Sequence, residues 1–436
     1  MMRFCFSVML ATLLFSSCNA PMAHSTNTSA GILARTGVSI PAPLAQLPTP
    51  LPPGLSLDQP ISSDDAAAIA IWNNAQLRAD LAAIGLAEAD LKDASLLLRN
   101  PRLDTLFPVG AKPFDLLFNF PLEVFLQRPR RIAVSEAALN QLAQSLIQNG
   151  VNTARDARLA FTDLWQAEQR TQLAAESVEL RDRIMKLTGA RFSAGDISEL
   201  ETIAAKSDAA SAIELHQRSI GDVQLARQRL SLSLGLVVGQ SSYRLSPPSI
   251  LLRSTEPLDV LLEKTMSARA DLRAAEIAVT TATKRAGWER RRFLWLSAQL
   301  SSKGVGNSGV LSGPGLSFEA PIFNRNQGMI ARAEAEVESA SRQYLALKQR
   351  AAFEVADARG QLDQARLSFA NIRDGVLPPL ERSVRLAEDQ YKNGDVAFLF
   401  VLEQNRAWLD ARQRMIDAQA AILRAQAQLE RSVGSK

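Results

Sequence analysis

Apolar residues recur every three or four positions through most of the chain, and this spacing predicts long amphipathic helices. One run contains no proline from Ile132 to Ala190 and would span roughly 90 Å as one continuous helix, which is longer than a globular domain needs. In the last predicted helix large side chains recur every seven residues, with alanines at intermediate positions, as in a coiled-coil seam. The seam positions are Val401, Trp408, Met415, Ile422 and Leu429, with Ala411, Ala418 and Ala425. We expect breaks in the helical pattern near Gly85 and at Pro378 and Pro379.

The period changes to strict alternation in four short stretches, about 102–109, 114–122, 293–301 and 315–323. In the second stretch Phe114, Leu116, Phe118 and Phe120 would share one apolar face. Strands of about nine residues suit a tilted membrane-spanning strand, although a soluble hairpin packed on helices explains them equally well. Four strands cannot close a barrel, and lipid does not tolerate an open strand edge. Membrane-spanning strands would therefore require several chains to share one barrel.

Arginines flank both predicted hairpins. Three follow the first hairpin and three precede the second, and they would lie at one rim, where lipid phosphates can meet them. Solvated surface charge is the simpler explanation for any single one of them. The residues are Arg128, Arg130, Arg131, Arg290, Arg291 and Arg292.

The chain contains an internal repeat. Phe192–Leu200 returns as Tyr391–Leu399, with the aromatic residue, the Gly-Asp pair, the β-branched residue and the leucine in one register. Gly-Asp between two helical runs predicts a tight turn, in which Gly caps one helix and Asp opens the next. The segment Leu77–Leu81 also returns, as Ala268–Leu272. We therefore divide the chain into a first unit at 61–256 and a second unit at 257–436, each with a strand hairpin and a helical hairpin.

The N-terminal segment has the features of an export signal at 1–17, with an early Arg3 and an apolar core. Phe15–Cys18 resembles the lipobox of bacterial lipoproteins, so we expect an acylated Cys18 followed by a proline-rich, extended tether at 18–60; an ordinary cleaved signal is the alternative. Loss of Cys5 with the signal would leave one thiol and no disulfide.

Composition and motifs favour no catalytic or nucleic-acid function. The net charge is only +4 on 436 residues, and acidic and basic residues are interspersed. The Gly304–Gly309 run matches a dinucleotide-binding pattern, but another predicted strand follows it where a helix would have to start. His24 lies in the predicted tether and His216 at a packing position, so they predict no metal site. We expect no enzyme activity and no cofactor.

The duplicated strand and helix hairpins, the paired Gly-Asp turns and the run Phe323–Gly328 resemble the TolC-like outer membrane efflux family. The resemblance covers about Asp64 to Gly434 and, with Asn100-Pro101, is strongest to the heavy-metal, CzcC-like branch. It implies a mainly α fold with a small β part: long coiled-coil hairpins and four strands per chain, assembled as a homotrimer. Such a trimer has a twelve-stranded β-barrel on an α-helical periplasmic tunnel, in contact with outer membrane lipid.

The resemblance also implies that the Gly-Asp turns form a periplasmic tip, where an adaptor protein docks. The residues carried over are Gly195, Asp196, Ile197, Ser198, Leu200, Gly394, Asp395, Val396 and Leu399; turn chemistry and helix packing are the alternative explanation for them. Some members lock the tip with an acid and an arginine, at positions held here by Glu201 and Val396, so the basic partner is absent. Hydrophobic packing is then the better candidate for a lock. Two further positions of the family's constriction carry Phe400 and Glu403.

The resulting functional hypothesis is a passive exit duct in the cell outer membrane, extending into the periplasm. It would dock a periplasmic adaptor and an inner-membrane pump, expected to be of the RND type, and export heavy-metal cations. Drug efflux and type I protein secretion are alternatives within the class. A lipid-anchored periplasmic coiled-coil scaffold without a pore is the alternative from another class, although it gives no reason for apolar strand faces in both repeats.

Overall fold

The computed structural model describes residues 23–37, 51–97, 102–106, 115–236, 243–249, 256–292, 295–304 and 309–434. The helices are α1 (Ala23–Thr36), α2 (Ser63–Asn73), α3 (Ala75–Ser95), α4 (Glu123–Ser193), α5 (Glu199–Ser233), α6 (Leu258–Ala268), α7 (Ala270–Glu289), α8 (Gln327–Ala370), α9 (Leu377–Asn393) and α10 (Phe398–Val433). The strands are β1 (Arg102–Leu106), β2 (Asp115–Pro121), β3 (Trp295–Gly304) and β4 (Val310–Glu319). Within these ranges, none of the helices has an apolar stretch long enough to cross a membrane.

Two long helices, α4 and α8, each run beside two shorter helices. α4 has 71 residues, roughly 105 Å of helix, and packs against α3 and α5 as well as α7 and α10. α8 packs against α7 and α10. The helices therefore lie side by side in a row. Near the strands the order of the row is α3, α4, α7, α8. Farther along α4 the order is α5, α4, α10, α9, so α5 forms one outer side and α8 with α9 forms the other.

The shorter helices of each row meet end to end. Gly235 follows the end of α5, and a Cβ added to it would lie 2.7 Å from the carbonyl oxygen of Asn73 beside the start of α3. α10 ends at Gly434, where an added Cβ would lie 3.0 Å from the Cα of Arg269, the residue before α7. Both glycines have positive φ, 65° and 81°, so a side chain is disfavoured by the backbone as well as by space.

The four strands form one antiparallel sheet in the order β1-β2-β3-β4, and the two hairpins join through β2 and β3. The four predicted strands therefore exist, with shifted ends. β4 covers 310–319 rather than 315–323 because it pairs with β3 as far as Gly304 opposite Val310, leaving Pro321 and Ile322 outside the ladder. β2 ends at Pro121, and Leu122 becomes the first residue of the turn into α4. The predicted strand residues 107–109, 114, 293 and 294 lie outside the described residues.

The two faces of the sheet differ in polarity. On one face Leu103, Phe118, Leu300 and Phe120 follow the register across three strands, with Leu316 and Phe318 on β4. On the other face Asn119 donates a hydrogen bond to Asp104 (3.2 Å) and accepts one from Gln299 (2.9 Å). The predicted alternation is thus confirmed as one apolar and one polar face. Most of the apolar side chains on the first face are exposed in the single chain.

The predicted coiled-coil seam of the last helix is confirmed. Ala411, Ala418, Ile422 and Ala425 are buried against α8 and α9, and Val401 is buried nearer the start of α10. Trp408, Met415 and Leu429 pack on the edge of this core. The hairpin of α8–α9 with α10 is therefore held by apolar packing.

The contact between α4 and α10 is polar instead. Four ion pairs follow one another in antiparallel order along the two helices: Arg158–Glu430, Asp163–Arg424, Arg170–Asp417 and Glu176–Arg412, with distances of 2.8, 2.7, 2.6 and 3.3 Å. We call this set the α4–α10 ion-pair ladder. It joins the helical hairpin of the first repeat to that of the second.

The predicted interruptions of the helices are partly right. Before Pro378 and Pro379 the chain makes a π-helical turn over Asn371–Val376, and helix resumes directly as α9. The break expected near Gly85 is wrong, because α3 continues through this residue. The break lies instead at Asn74, whose side chain accepts a hydrogen bond from the Leu77 N–H (2.9 Å).

The N-terminal segment is not extended throughout. Residues Ala23–Thr36 form α1, and Ile32 is fully buried against Gly150 of α4, so the extended-tether expectation is wrong for this stretch. Apolar residues within the polar segment provide the contact that favours helix over a solvated chain. The predicted signal at 1–17 and Cys18 lie outside the described residues.

A buried arginine joins the ends of several helices. Arg269, only 1% exposed, binds Asp271 and Glu354 through its guanidinium, at 2.6 and 2.8 Å. It also donates to the carbonyl of Ser432 at the end of α10 (3.3 Å). The repeat of Leu77–Leu81 at Ala268–Leu272 aligns Arg269 with Arg78, which lies inside α3. Arg269 instead lies just before α7, so the two helices start at different positions of the repeat.

Candidate functional site: the paired Gly-Asp turns

The two Gly-Asp turns have the same backbone geometry. Gly195 and Gly394 have φ of 85° and 87°, the left-handed conformation that favours glycine after a helix. The Asp196 N–H donates to the Arg191 carbonyl and the Asp395 N–H donates to the Gln390 carbonyl, both at 2.9 Å. With the shorter-range bond from each glycine N–H, this is the Schellman pattern of helix termination.

The aspartates do not begin the following helices, which corrects the sequence interpretation. Ser198 caps α5 by accepting a hydrogen bond from the Glu201 N–H (3.3 Å), and Ala397 precedes α10 without a side-chain cap. Asp196 and Asp395 are needed by the turns for their backbone N–H groups, so their exposed carboxylates are free of a capping role.

Arg191 joins the two turns. Its guanidinium donates to the Tyr391 carbonyl (2.9 Å) and lies over the Tyr391 ring, 4.7 Å from the centroid. The two copies of the repeat therefore lie side by side at one end of the molecule. Arg191 was not predicted from the sequence, because the corresponding residue of the second repeat is Gln390 and the repeat does not mark this position.

An apolar cluster fills the space behind the turns. Tyr391, Phe398, Val401 and Leu402 are buried together with Ala205 of α5 and Ala387 of α9, and Val396 packs against them. This cluster packs α5, α9 and α10 together within the single chain, and hydrophobic packing as the lock of the mouth stays a prediction. Val396 is half-buried in it, so of the predicted docking residues Val396 and Ile197 are the least available to a partner.

The remaining predicted docking residues form the exposed surface of the tip. Leu200 is 75% exposed and Leu399 is 61% exposed. The exposed polar and glycine positions are Gly195, Asp196, Ser198, Gly394 and Asp395. Two large apolar side chains thus stand in solvent beside two carboxylates.

The predicted constriction residues lie on the same helices but do not pair with one another. Glu201 lies in the first turn of α5, partly exposed. Phe400 and Glu403 are exposed on one face of α10, one turn apart. Val396 packs against the apolar cluster.

An ion-pair network that the sequence analysis missed lies farther from the turns. The carboxylate of Asp208 on α5 is 8% exposed and binds Arg181 of α4 (3.2 Å) and Arg406 of α10 (2.8 Å). One buried acid thus connects three helices and both repeats. In the sequence, Asp208 can be recognised as a charged residue at a position of α5 that the apolar pattern predicts to be buried. The sequence of α5 alone does not show which arginines pair with it.

The run Phe323–Gly328 lies at the opposite end, where the strands meet the helices. Asn326 has φ of 65° and is the one residue other than glycine with positive φ among those described. Its side-chain amide donates to the backbone and carboxylate oxygens of Glu289, at 2.9 and 2.8 Å. It therefore fixes the exit from β4 to the end of α7.

The two histidines lie within helices. His216 is partly exposed on α5, and its carbonyl accepts a hydrogen bond from the Ser219 hydroxyl (2.7 Å), so its seam position is at the edge of the packing. His24 lies in α1.

Comparisons with known proteins agree with this architecture. Residues 261–435 match the family described as "Outer membrane efflux protein". The cobalt-zinc-cadmium resistance protein CzcC of Cupriavidus metallidurans is 25% identical over 386 residues, covering 86% of this chain and 90% of CzcC. The cation efflux system protein CusC of Escherichia coli is 26% identical over 325 residues, covering 70% of this chain and 67% of CusC. The solved outer-membrane channel OprN has a TM-score of 0.73 at 20% identity, with 86% of this chain and 90% of OprN covered.

The resemblance to the TolC-like outer membrane efflux family, and to its heavy-metal branch, is therefore confirmed. The fold of OprN is shared over most of the chain, with mainly helical structure and a small four-stranded sheet. The outer membrane, named in the family description, is the location expected from the sequence.

Proposed function

We propose that this protein is a passive outer-membrane exit duct of a tripartite efflux system. One observation carries the proposal, and it is that the sheet and the helix row both have open sides. Among the described strands, the sheet has one apolar face, one polar face and two unpaired edges. It continues into a row of helices that also has an outer member at each side. Such an element is incomplete as a monomer. It becomes complete when copies close the row into a ring.

The strands support a trimer. An unpaired strand edge is costly in lipid, because each free N–H and C=O lacks a partner there. Three chains with four strands each would close a twelve-stranded barrel by pairing β1 of one copy with β4 of the next. The exposed apolar face with Leu316 and Phe318 would then meet lipid, and the face with Asp104, Asn119 and Gln299 would meet the lumen.

The helices support the same closure. Both outer members of the row expose large apolar side chains that the single chain leaves uncovered. On α5 these are Ile213, Leu215, Ile220, Leu225 and Leu232; on α8 and α9 they are Leu345, Phe353, Leu367 and Leu386. In a ring α5 of one copy would cover α8 and α9 of its neighbour, and the helices would enclose a periplasmic tunnel.

The Gly-Asp tip would dock the periplasmic adaptor, which links the duct to an inner-membrane pump of the RND type. The exposed pair Leu200 and Leu399 supplies apolar contact, and the fixed Gly195 and Gly394 turns hold it in place. Phe400 and Glu403, with Glu201, would line the constriction at this end. Energy for transport would come from the pump, so the duct needs no catalysis or cofactor of its own.

We infer heavy-metal cations as the cargo, because both curated relatives are named for cation resistance or efflux. Drugs, and proteins exported by type I secretion, are the alternative cargoes. An acyl chain on Cys18 would add a lipid anchor. The alternative of a periplasmic scaffold without a pore gains no support from the sheet, since a scaffold does not require an exposed apolar strand face.

Planar-bilayer conductance of the purified full chain tests the duct. We expect trimers in detergent and discrete channels in the bilayer. A monomer in detergent, with no channel at any voltage or pH, would overturn the proposal.

A further inference from the structure

In the described parts of the chain, the helix–strand junctions gather at one end of the sheet. The Leu122 N–H donates to the Leu296 carbonyl (2.8 Å), which places the start of α4 beside the start of β3. Asn326 binds Glu289, which places the start of α8 beside the end of α7. The Arg128 guanidinium donates to the Ser95 carbonyl (2.8 Å), which brings the end of α3 to the same level.

Large apolar side chains are exposed at this level. Phe323 is 91% exposed between β4 and α8, with Ile322 beside it. Leu126 is 66% exposed in the first turns of α4, and Leu96 and Leu97 are exposed where α3 ends. Together with the exposed apolar side chains of the strands, they give the junctions an exposed apolar surface.

Three arginines at the junctions have guanidinium groups without a partner among the described residues. Most of their neighbours are engaged: Arg290 pairs with Glu334, Arg292 with Glu289, and Arg128 with a carbonyl. The guanidiniums of Arg130, Arg291 and Arg325 make no ion pair or hydrogen bond within the described parts of the chain. Arg291 and Arg325 are exposed, and Arg130 is partly exposed.

From the strands toward the helices, apolar side chains come before arginines, as acyl chains come before phosphates from the centre of a membrane toward its surface. Arg130 lies one helical turn beyond Leu126 on the same face of α4. Arg325 follows Phe323 on the way from β4 to α8, and Arg291 lies between α7 and β3. Apolar groups are thus on the strand side and cations on the helix side, as acyl chains and phosphates are ordered.

We propose that these residues form a junction belt that binds the phosphodiester headgroups of anionic phospholipids in the leaflet facing the helices. The belt comprises Leu126, Phe323, Arg130, Arg291 and Arg325. Its occupant is a lipid because a soluble anion would not cover the adjoining exposed apolar side chains. The belt rests on the proposed function, since it requires the strands to lie in a membrane.

Phosphatidylglycerol added to the full-length protein in uncharged detergent micelles tests the belt, with the melting temperature as readout. The triple variant Arg130→Gln, Arg291→Gln and Arg325→Gln should need about 100-fold more lipid for the half-maximal rise, since each cation near an anionic lipid surface contributes about fivefold. Raised salt should weaken the wild-type response.

The matched control is Arg229→Gln, Arg382→Gln and Arg385→Gln, which removes three exposed helix charges away from the junctions and should leave the midpoint unchanged. Equal midpoints for wild type and the junction variant, or an equal loss in the control, would overturn the belt. So would full stabilisation by glycerophosphoglycerol, which carries the phosphodiester headgroup without acyl chains. Wild-type protein that never inserts into bilayers contradicts the duct and the belt together, whereas normal channels with an unchanged lipid midpoint contradict the belt alone.

Discussion

Arg269 is the residue whose loss we expect to be most damaging outside the tip. It is buried and binds Asp271, Glu354 and the end of α10, so Arg269→Ala leaves Asp271 without an ion-pair partner and Glu354 with only Arg431 and Arg350. We expect a loss of about 3–5 kcal/mol in the free energy of unfolding. Urea unfolding measures it.

The control is Arg273→Ala, which removes an exposed ion pair with Glu276 in the same helix and should cost under about 1 kcal/mol. Equal losses in the two variants would show that the Arg269 cluster does not hold the helix ends together.

The same cluster predicts a dependence of stability on acid. Burial by itself would raise the pKa of Asp271 and Glu354, but hydrogen bonds and attraction from Arg269, with Arg431, outweigh it and hold both pKa values below their usual range. Carboxyl groups with lowered folded-state pKa stabilise the fold above their unfolded values, about 3.9 and 4.3, and lose this contribution as the pH falls through the folded values.

Unfolding free energy should therefore decline below about pH 4. The decline should be shallower in Arg269→Lys, which keeps the charge but loses the paired hydrogen bonds to Asp271. Parallel pH profiles for the two proteins would contradict this assignment.

At the scale of elements, the α4–α10 ion-pair ladder joins the two helical hairpins through charged side chains. Arg424→Glu would place two acids together at the Asp163 pair, whereas the double variant with Asp163→Lys would restore attraction. Because both side chains are partly exposed, we expect a coupling energy of about 0.5–1 kcal/mol. A double-mutant cycle by thermal unfolding measures it, and additive effects would mean that the pair contributes nothing.

The tip offers an element-scale test of docking. Leu200→Glu with Leu399→Glu should abolish crosslinking to the adaptor, because two exposed apolar side chains become charged while the turn backbone is unchanged. Leu86→Glu alters a comparably exposed leucine on α3, far along the chain from either turn, and should crosslink normally. Unchanged crosslinking in the tip variant, with assembly intact in both, would remove these leucines from the docking surface.

At the scale of the whole molecule, the proposed constriction residues would act together only in a symmetric assembly. Three copies of the exposed Glu403 would bring carboxylates together at one mouth, and Glu403→Gln should reduce the preference for cations over anions. Reversal potentials in a salt gradient measure this preference. Identical selectivity of the variant and wild type would place Glu403 on an outer, solvated surface.

Regular patterns accounted for much of the fold and of the candidate site. The heptad positions from Val401 to Leu429, the four alternating stretches and the two Gly-Asp turns depend on local geometry, so they were recognisable without the structure. Arg191 and Asp208 were not, because each acts on residues about two hundred positions away. The strand ends also depended on cross-strand pairing, as the shift of β4 shows.

The sequence by itself determined the repeated order of helices and strands and the glycines that end the helices at the two Gly-Asp turns, since periodicity and glycine conformation are properties of neighbouring residues. Only the tertiary structure decided that α1 packs on α4, that Asn74 and not Gly85 interrupts the early helices, and which charges pair across α4 and α10. These outcomes depend on which surfaces meet. One helix's sequence does not specify the partner that will cover it.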